Sequence, residues 1–161
     1  PAAGGSATFP VGLCAQPASY VVFAVSSADE GEATTDSAAL TFTSANWDTA
    51  QTVTVTGVDD SLADGSQTTN ITVSVNDGSS DNNFDALDNQ TYTATTTDND
   101  TAAFTLSKTT ATVTDGATTD SFTVVLGVQP VGNVVIGRSA SDGTEGTVST
   151  ASITLTNGNW N

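Results

Sequence analysis

Apolar residues alternate with threonine and other polar residues in short segments along the chain. The clearest segments are 39–43, 51–56 and 70–75, in which Val, Ile, Leu or Phe occupies every second position. Successive side chains of a strand point to opposite faces, so this alternation predicts strands with one buried face. No window has the spacing of an amphipathic helix. Short strands separated by turn-forming residues predict an all-β fold, an antiparallel β-sandwich.

Shorter segments of the same kind complete the set of predicted strands. They lie at 9–13, 20–25, 92–96, 104–106, 110–113, 121–128, 133–136 and 151–156. The segments 26–37 and 76–89 are rich in acidic and turn-forming residues, and we expect them to be loops.

The pattern of apolar residues occurs twice. Residues 8–48 align without a gap with residues 121–161 at an offset of 113 positions, and 16 of the 41 aligned pairs are identical. Trp47 and Trp160 occupy the same place in the two segments. Self-similarity at a fixed period is the mark of a repeat architecture. The chain is therefore predicted to hold one copy of a 113-residue tandem repeat and part of a second.

The repeat divides the chain near residue 100. Residues 1–100 are predicted to form one sandwich that lacks its first strand segment, the counterpart of 102–113. Residues 101–161 are predicted to form the first half of a second copy, without a counterpart of 49–100. Half a sandwich leaves its inner face and its strand edges open. Either further sequence of a longer array completes it, or strands of a neighbouring chain do, which builds filaments when the contact is head-to-tail.

The charge of the chain is one-sided. There are 18 acidic residues and two basic ones, Lys108 and Arg138, giving a formal net charge of −16. Nucleic acids and anionic membrane surfaces are bound through clustered Lys and Arg, so we expect neither as a partner. No run of about 18 apolar residues could span a membrane, and residues 1–6 do not resemble a secretion signal. The charge favours cations as partners and solubility in salt.

Three residues of the repeat have structural interpretations. Cys14, the only cysteine, aligns with Gly127 in a strand-like run and is predicted to be a small buried thiol rather than a reactive one. Trp47 and Trp160 are predicted to anchor the edge of the core rather than to stack on a ligand, because each copy of a repeat needs the same structural residue.

Catalysis has little support in the sequence. The chain has no histidine, which excludes Ser-His and His-metal chemistry. Two carboxylates can hydrolyse glycosides, but here they lie in acidic loops without an aromatic wall or a cleft-forming helix. We expect that the chain is not an enzyme.

Several motifs resemble Calx-β domains and together cover most of the 113-residue unit. Those that resemble the opening of such a domain are 110–116 (TATVTDG), 121–126 (SFTVVL) and Gln129-Pro130. Those that resemble its middle and its acidic end are 40–42 (LTF), 51–55 (QTVTV), 58–60 (VDD) with Asp64-Gly65, and 95–100 (TTTDND). The turn with Asn46-Trp47, followed by the run 52–60, is also similar to repeats of very large bacterial surface proteins.

The resemblance implies an immunoglobulin-like sandwich, Ca²⁺ bound at loop ends, and tandem arrays in cell-surface and adhesive proteins. Carried over by position, the implied calcium ligands are Asp29, Asp59, Asp60, Asp98, Asp100, Asp115 and Asp142.

Two departures from the family pattern favour a weak or single-ion site. The first copy has Ala2 at the position of Asp115, and the acidic end reads Asp98-Asn99-Asp100 rather than three aspartates. Calcium takes six to eight oxygen ligands, so Asp59 and Asp60 can join this cluster only if the sandwich brings the loops to one end. The loop 77–88 is a second candidate. Alternatively, these aspartates only form turns and carry solvated charge.

The function expected from the sequence is mechanical. We expect Ca²⁺-stiffened modules of an extracellular or cell-surface protein, in an adhesin or stalk or in a filament assembled by strand complementation. The expected partners are neighbouring copies of the repeat or of the chain. The alternative is an adhesion module that holds a glycan or a protein, such as a host or cell-surface ligand, at loops of the sandwich tip.

Overall fold

The computed structural model describes residues 4–116 and 118–161. In these residues the regular structure is β-strand, apart from one turn of 3-10 helix at Asp77–Ser79. All ladders between these strands are antiparallel, which confirms the all-β prediction. The chain forms two compact units. Unit 1 comprises the residues up to Asp60 and Gly65–Asn99, and unit 2 comprises Ser61–Asp64 and Asp100–Asn161.

Unit 1 contains seven strands in two sheets. They are β1 Ser6–Val11, β2 Val21–Ser27, β3 Ala33–Thr35, β4 Ala39–Phe42, β5 Gln51–Gly57, β6 Gln67–Val75 and β7 Gln90–Thr96. One sheet has the order β1-β5-β3 and the other the order β4-β2-β6-β7. Buried residues of both sheets form a single hydrophobic cluster, so the sheets face each other across one core, as in a β-sandwich.

The alternation along each strand decides what enters this core. On β5, Val53 and Val55 are fully buried and Thr54 between them is half-buried. On β4, Leu40 and Phe42 are buried while their neighbours are exposed. Fully burying a Val, Leu or Phe side chain stabilises the fold by about 1.5–3 kcal/mol. The threonine-rich sequence therefore folds because its apolar residues occupy one face of each strand.

An aromatic pair links the edges of the two sheets. Phe9 on β1 stacks on Tyr92 of β7, with ring centroids 4.5 Å apart and an interplanar angle of 17°. Both strands lie at the edges of their sheets. Such pairs contribute about 0.5–1.5 kcal/mol beyond the area that they bury. The contact fixes β1 over β7, so the edge of one sheet lies against the edge of the other.

Asp81 holds the long loop 76–89 against the segment before β2. Its Oδ2 accepts hydrogen bonds from the backbone N–H groups of Ala18 at 2.7 Å and Ser19 at 3.2 Å. Its Oδ1 accepts from the backbone N–H of Asn83 at 3.1 Å and from the Asn83 side-chain amide at 2.8 Å. These donors favour the ionised carboxylate, and the Asn83 and Ala18 N–H groups chiefly hold the pKa of Asp81 below its usual range.

Unit 2 has four short strands in two ladders. They are β8 Phe104–Leu106, β9 Val124–Leu126, β10 Val134–Gly137 and β11 Ser152–Leu155, with β8 paired to β9 and β10 paired to β11. Val128 and Leu155 are the only buried hydrophobic residues in the described part of this unit. Large apolar side chains therefore remain exposed on its strands.

The structure corrects three details of the sequence reading. Cys14 is exposed, so the prediction of a buried thiol is wrong; β1 ends at Val11, and strand alternation no longer controls which way Cys14 points. Strand β3 lies inside the segment 26–37 that was expected to be loop. The segment 110–113 is not a strand. Trp47 and Trp160 are half-buried.

Candidate metal centre

Three strand ends meet at one end of unit 1. The first residue of β3, Ala33, pairs with the last residue of β5, Gly57, because the two strands are antiparallel. The carbonyl oxygen of Glu32 accepts a hydrogen bond from the N–H of Val58 at 2.9 Å and another from the Oγ1 of Thr96 at 2.8 Å. The residues before β3, after β5 and after β7 therefore lie together.

Two carboxylates approach each other at this end. Glu32 and Asp60 each offer a carboxylate oxygen, and these oxygens lie within 4.8 Å of one another. Glu32 is half-buried and Asp60 is exposed. Like charges this close repel, and a divalent cation bound between them would remove the repulsion. We call Glu32, Asp59, Asp60 and Asp98 the acidic end of unit 1.

Asp98 fixes the loop that leads into β6. Its Oδ2 accepts a hydrogen bond from the N–H of Gly65 at 2.8 Å. Gly65 has a φ of 80°, in the left-handed region that glycine adopts without strain. Asp98 follows Thr96 by two residues, and Thr96 bonds to the Glu32 carbonyl. Asp98 therefore follows the end of β7 that lies beside Glu32, and its carboxylate binds the loop before β6.

Asp29 acts as a turn-former in unit 1. Its Oδ1 accepts a hydrogen bond from the N–H of Gly31 at 2.9 Å, and its carbonyl oxygen accepts from the N–H groups of Glu32 at 3.3 Å and Ala33 at 3.1 Å. This local bonding is typical of Asp in tight turns. The turn sets the position of Glu32, so Asp29 contributes to the acidic end by shaping the backbone.

The other predicted ligands, Asp100, Asp115 and Asp142, belong to unit 2. Asp142 accepts hydrogen bonds at Oδ1 from the Thr144 hydroxyl at 2.6 Å and the Thr144 N–H at 2.9 Å, and these bonds hold the pKa of Asp142 below its usual range. Asp115 lies in a turn beside Gly116, which has a φ of 67°. The described residues of unit 2 do not by themselves bring three acidic side chains close enough to share one ion.

Glu32 is the residue that the sequence reading missed. The implied ligand set contained only aspartates, because it was carried over from motifs around Asp residues. A signal was present nonetheless. Glu32 aligns with Glu145 at the repeat offset of 113, and the pair is identical, like Asp29 and Asp142.

The loop 77–88, the second candidate, is organised differently. Asp81 is surrounded by N–H donors, which already neutralise much of its need for a cation. Burial raises the pKa of Asp85, and the hydrogen bond that its protonated carboxyl donates to the nearby Asp77 carboxylate acts in the same direction. This loop is therefore held by its own hydrogen bonds, whereas at the acidic end the carboxylates of Glu32 and Asp60 come from two separate segments of unit 1.

Comparison of the chain with protein-family models, with curated proteins and with solved structures gave no match. In the part of the chain that the structure describes, no helix has the length and apolar character needed to cross a membrane.

Proposed function

We propose that the chain is a non-catalytic structural module of an extracellular or cell-surface protein, built from an immunoglobulin-like sandwich that repeats every 113 residues and is stiffened by Ca²⁺ at the acidic end. Such modules would serve in an adhesin or surface stalk, or in a filament whose subunits complete one another with strands. The convergence of Glu32 and Asp60 at the meeting point of three strand ends carries the calcium part of this proposal.

The repeat is supported by hydrogen bonds that recur at the same offset. The Oδ1 of Asn46 accepts from the N–H of Thr43 at 2.6 Å and from its hydroxyl at 2.9 Å. The Oδ1 of Asn159 accepts from the N–H of Thr156 at 2.6 Å and from its hydroxyl at 2.9 Å. Each Asn precedes one of the two tryptophans. Two turns that bond alike at equivalent positions favour one structural unit used twice.

A second pair of positions behaves in the same way. The side-chain amide of Gln16 donates to the carbonyl of Ser44 at 2.8 Å, and that of Gln129 donates to the carbonyl of Asn157 at 3.4 Å. Both bonds join residues 28 positions apart. In each unit, a glutamine followed by a proline is thus tied to the turn that carries the tryptophan. This long-range similarity is harder to explain by local composition than the turns alone.

The calcium role follows from charge and connectivity. Asp59 and Asp60 extend from β5, Asp98 extends from β7, and Glu32 precedes β3, so one ion at this end would tie three segments of unit 1 together. With a net charge of −16, bound cations also relieve the self-repulsion of the folded chain. The expected gain is resistance to unfolding, which suits a load-bearing module.

Thermal unfolding in Ca²⁺ and in EDTA tests this proposal. Ca²⁺ at 100 times its dissociation constant should stabilise the folded state by about 2.7 kcal/mol, because it binds that state selectively. Glu32→Gln and Asp60→Asn should abolish most of the shift in melting temperature. Asp48→Asn is the matched control, because it removes one charge from an exposed residue of unit 1 outside the acidic end and should leave the shift intact.

Equal melting temperatures in Ca²⁺ and EDTA would contradict the calcium role. If the same concentration of Mg²⁺ reproduced the shift in all variants, the effect of Ca²⁺ would be general screening of the negative charge. Saturable binding of the chain to a glycan or protein array would instead favour the adhesion-module alternative.

A further inference from the structure

Unit 1 has an apolar groove of about 1010 Å³ between β1, the segment that follows it and the loop 76–89. Its lining is dominated by aromatic and aliphatic residues and includes the consecutive residues 9–16. Phe9, Val11 and Leu13 are only partly buried there, although they pack against the core. The groove therefore leaves part of the core of unit 1 open along one side of β1.

The backbone of β1 is also open on that side. β1 pairs with β5 along its whole length, from Ser6 opposite Thr56 to Val11 opposite Gln51. It is the edge strand of its sheet, and no other described strand pairs with it. An edge strand presents unpaired N–H and C=O groups to an extended segment that reaches it, although Pro10 of β1 can offer only its C=O. The groove thus combines an apolar floor with a free strand edge, the two features used in strand addition.

Unit 2 shows what occupies the equivalent edge. At the offset of 113, Val11, Gly12 and Leu13 correspond to strand β9. β9 pairs with β8 in the register Phe104 opposite Leu126 and Leu106 opposite Val124. The N–H of Gly127, the counterpart of Cys14, continues this pairing with a 2.9 Å hydrogen bond to the carbonyl of Ala103.

Strand β8 has apolar side chains that unit 2 does not bury. Phe104 is 57% exposed and Leu106 is 41% exposed. The ladder that holds β8 is only three residue pairs long. Leaving unit 2 would therefore cost the strand few contacts, and burial of both side chains elsewhere would favour the exchange.

The charge of this segment suits the groove. Residues 102–113 contain no acidic residue and include Lys108, one of only two basic residues in the chain. The groove is lined by Asp88, an exposed carboxylate, and by Asp81, whose oxygens are already bonded to N–H groups, so Asp88 is the partner open to a cation. Lys108 pairs with Asp120 within unit 2 and would exchange one carboxylate partner for another. In a chain of net charge −16, this is the stretch least repelled by another copy.

We propose that residues 102–113 of a second copy of this chain enter the groove of unit 1 and add a strand to the free edge of β1. The register is that of β8 on β9. Leu106 lies opposite Val11, the last residue of β1, and the added strand draws residues 12–14 beyond β1 into the ladder, with Phe104 opposite Leu13 and Ala103 opposite Cys14. This inference rests on the proposed 113-residue repeat. The strand of one copy meets the groove of the next, so the contact is head-to-tail and builds an open polymer.

The register can be tested by cross-linking. A Cβ placed on Gly127 would lie 3.6 Å from the Cβ of Ala103, a separation that a disulfide bridges. The full chain carrying Ala103→Cys should therefore form disulfide-linked dimers and higher oligomers through Cys14 when oxidised with diamide, seen on non-reducing gels. Thr110→Cys is the matched control, because seven residues of extended strand place it roughly 23 Å from the position of Ala103.

Ala103→Cys should give more than about tenfold as much cross-linked product as Thr110→Cys, since strand addition raises the local concentration of the two thiols. Equal yields from the two variants, or a product that stays monomeric, would overturn the proposal. Cross-linking of Ala103→Cys should also fall when a synthetic peptide of residues 102–113 is added. A peptide with both apolar residues of β8 replaced by serine should not compete; if it competes equally, the proposal fails.

Sedimentation of the unmodified chain gives a second measurement. Its average mass should rise with concentration, and Leu106→Asp should hold it at the monomer mass while the circular dichroism of unit 1 is retained. A chain that is monomeric at every concentration would overturn the inference even if the peptide binds. A chain that polymerises without responding to Ca²⁺ would contradict only the calcium role, and one that binds Ca²⁺ without polymerising only this inference.

Discussion

The two units carry the same apolar pattern but bury it to different depths. Val21 and Phe42 in unit 1 are fully buried, whereas their counterparts at the repeat offset, Val134 and Leu155, are half-buried and 7% exposed. Unit 1 has β5, β6 and β7 to close its core, whereas the described strands of unit 2 form two short ladders. The comparison shows that alternation along a strand decides which face is directed to the core. A second sheet decides how much of that face is buried from solvent.

The largest expected effect separates the cores of the two units. Phe42→Ala should lower the free energy of unfolding of unit 1 by about 3–5 kcal/mol, because it leaves a cavity among fully buried neighbours. Leu155→Ala, at the equivalent position, should cost less than half as much, since its surroundings are more open. Urea unfolding of both variants measures the difference. Equal losses would mean that unit 2 has a core as closed as that of unit 1.

The next effect concerns the buried carboxylate of unit 1. Asp81→Asn should lower the melting temperature of unit 1 at pH 7 by on the order of 10 °C, because an amide –NH₂ would face the N–H donors that now bond to a carboxylate. The folded-state pKa of Asp81 is lowered, so its stabilisation is present above the unfolded pKa and is lost as the pH falls through the folded pKa. Melting curves of wild type and variant should therefore converge at low pH.

Asp142→Asn gives the matching measurement in unit 2. Its pKa is also lowered, but its donors belong to Thr144, two residues away, rather than to a distant segment. The variant should shift melting by less than Asp81→Asn at pH 7. A larger shift for Asp142→Asn would contradict the view that long-range hydrogen bonds give unit 1 its advantage.

The smallest effect compares the two equivalent turns. Asn46→Ala and Asn159→Ala each remove the same pair of hydrogen bonds to a threonine. Each should cost roughly 1 kcal/mol of unfolding free energy, the usual net contribution of such bonds. Hydrogen exchange at the Thr43 and Thr156 amides would measure this loss locally. A large loss at one turn and none at the other would show that the two turns are not equivalent.

The sequence predicted the parts of the fold that depend on local alternation. Strands β4, β5 and β6 lie where the apolar residues alternate most regularly, and their bounds differ from prediction by one residue or, at the start of β6, by three. Strand β3 escaped prediction because Ala33-Thr34-Thr35 is short and contributes little apolar surface; its pairing with β5 is a tertiary contact. The prediction of a strand at 110–113 was wrong for the opposite reason. The segment alternates well, but no described strand pairs with it.

The candidate site was predictable in outline only. The sequence placed Asp59, Asp60 and Asp98 in loops after strands, and the topology of unit 1 brings those loops to one end. The position of Glu32 in the site depends on the pairing of β3 with β5, which no local sequence pattern encodes. The exposure of Cys14 has a similar origin, because the end of β1 is set by where β5 stops pairing with it.

The placement of β1 and β7 has a mechanical consequence. The N–H of Gly57 bonds to the carbonyl of Gly5 just before β1, at the end of unit 1 where Thr96 finishes β7 beside Glu32. Tension applied through residues 5 and 96 would thus peel the outermost ladder open bond by bond. A strand added antiparallel to β1 begins at the opposite end of β1. The same tension would therefore load all the hydrogen bonds of the new ladder at once. A filament joined in that way would resist stretching better than any of its subunits alone.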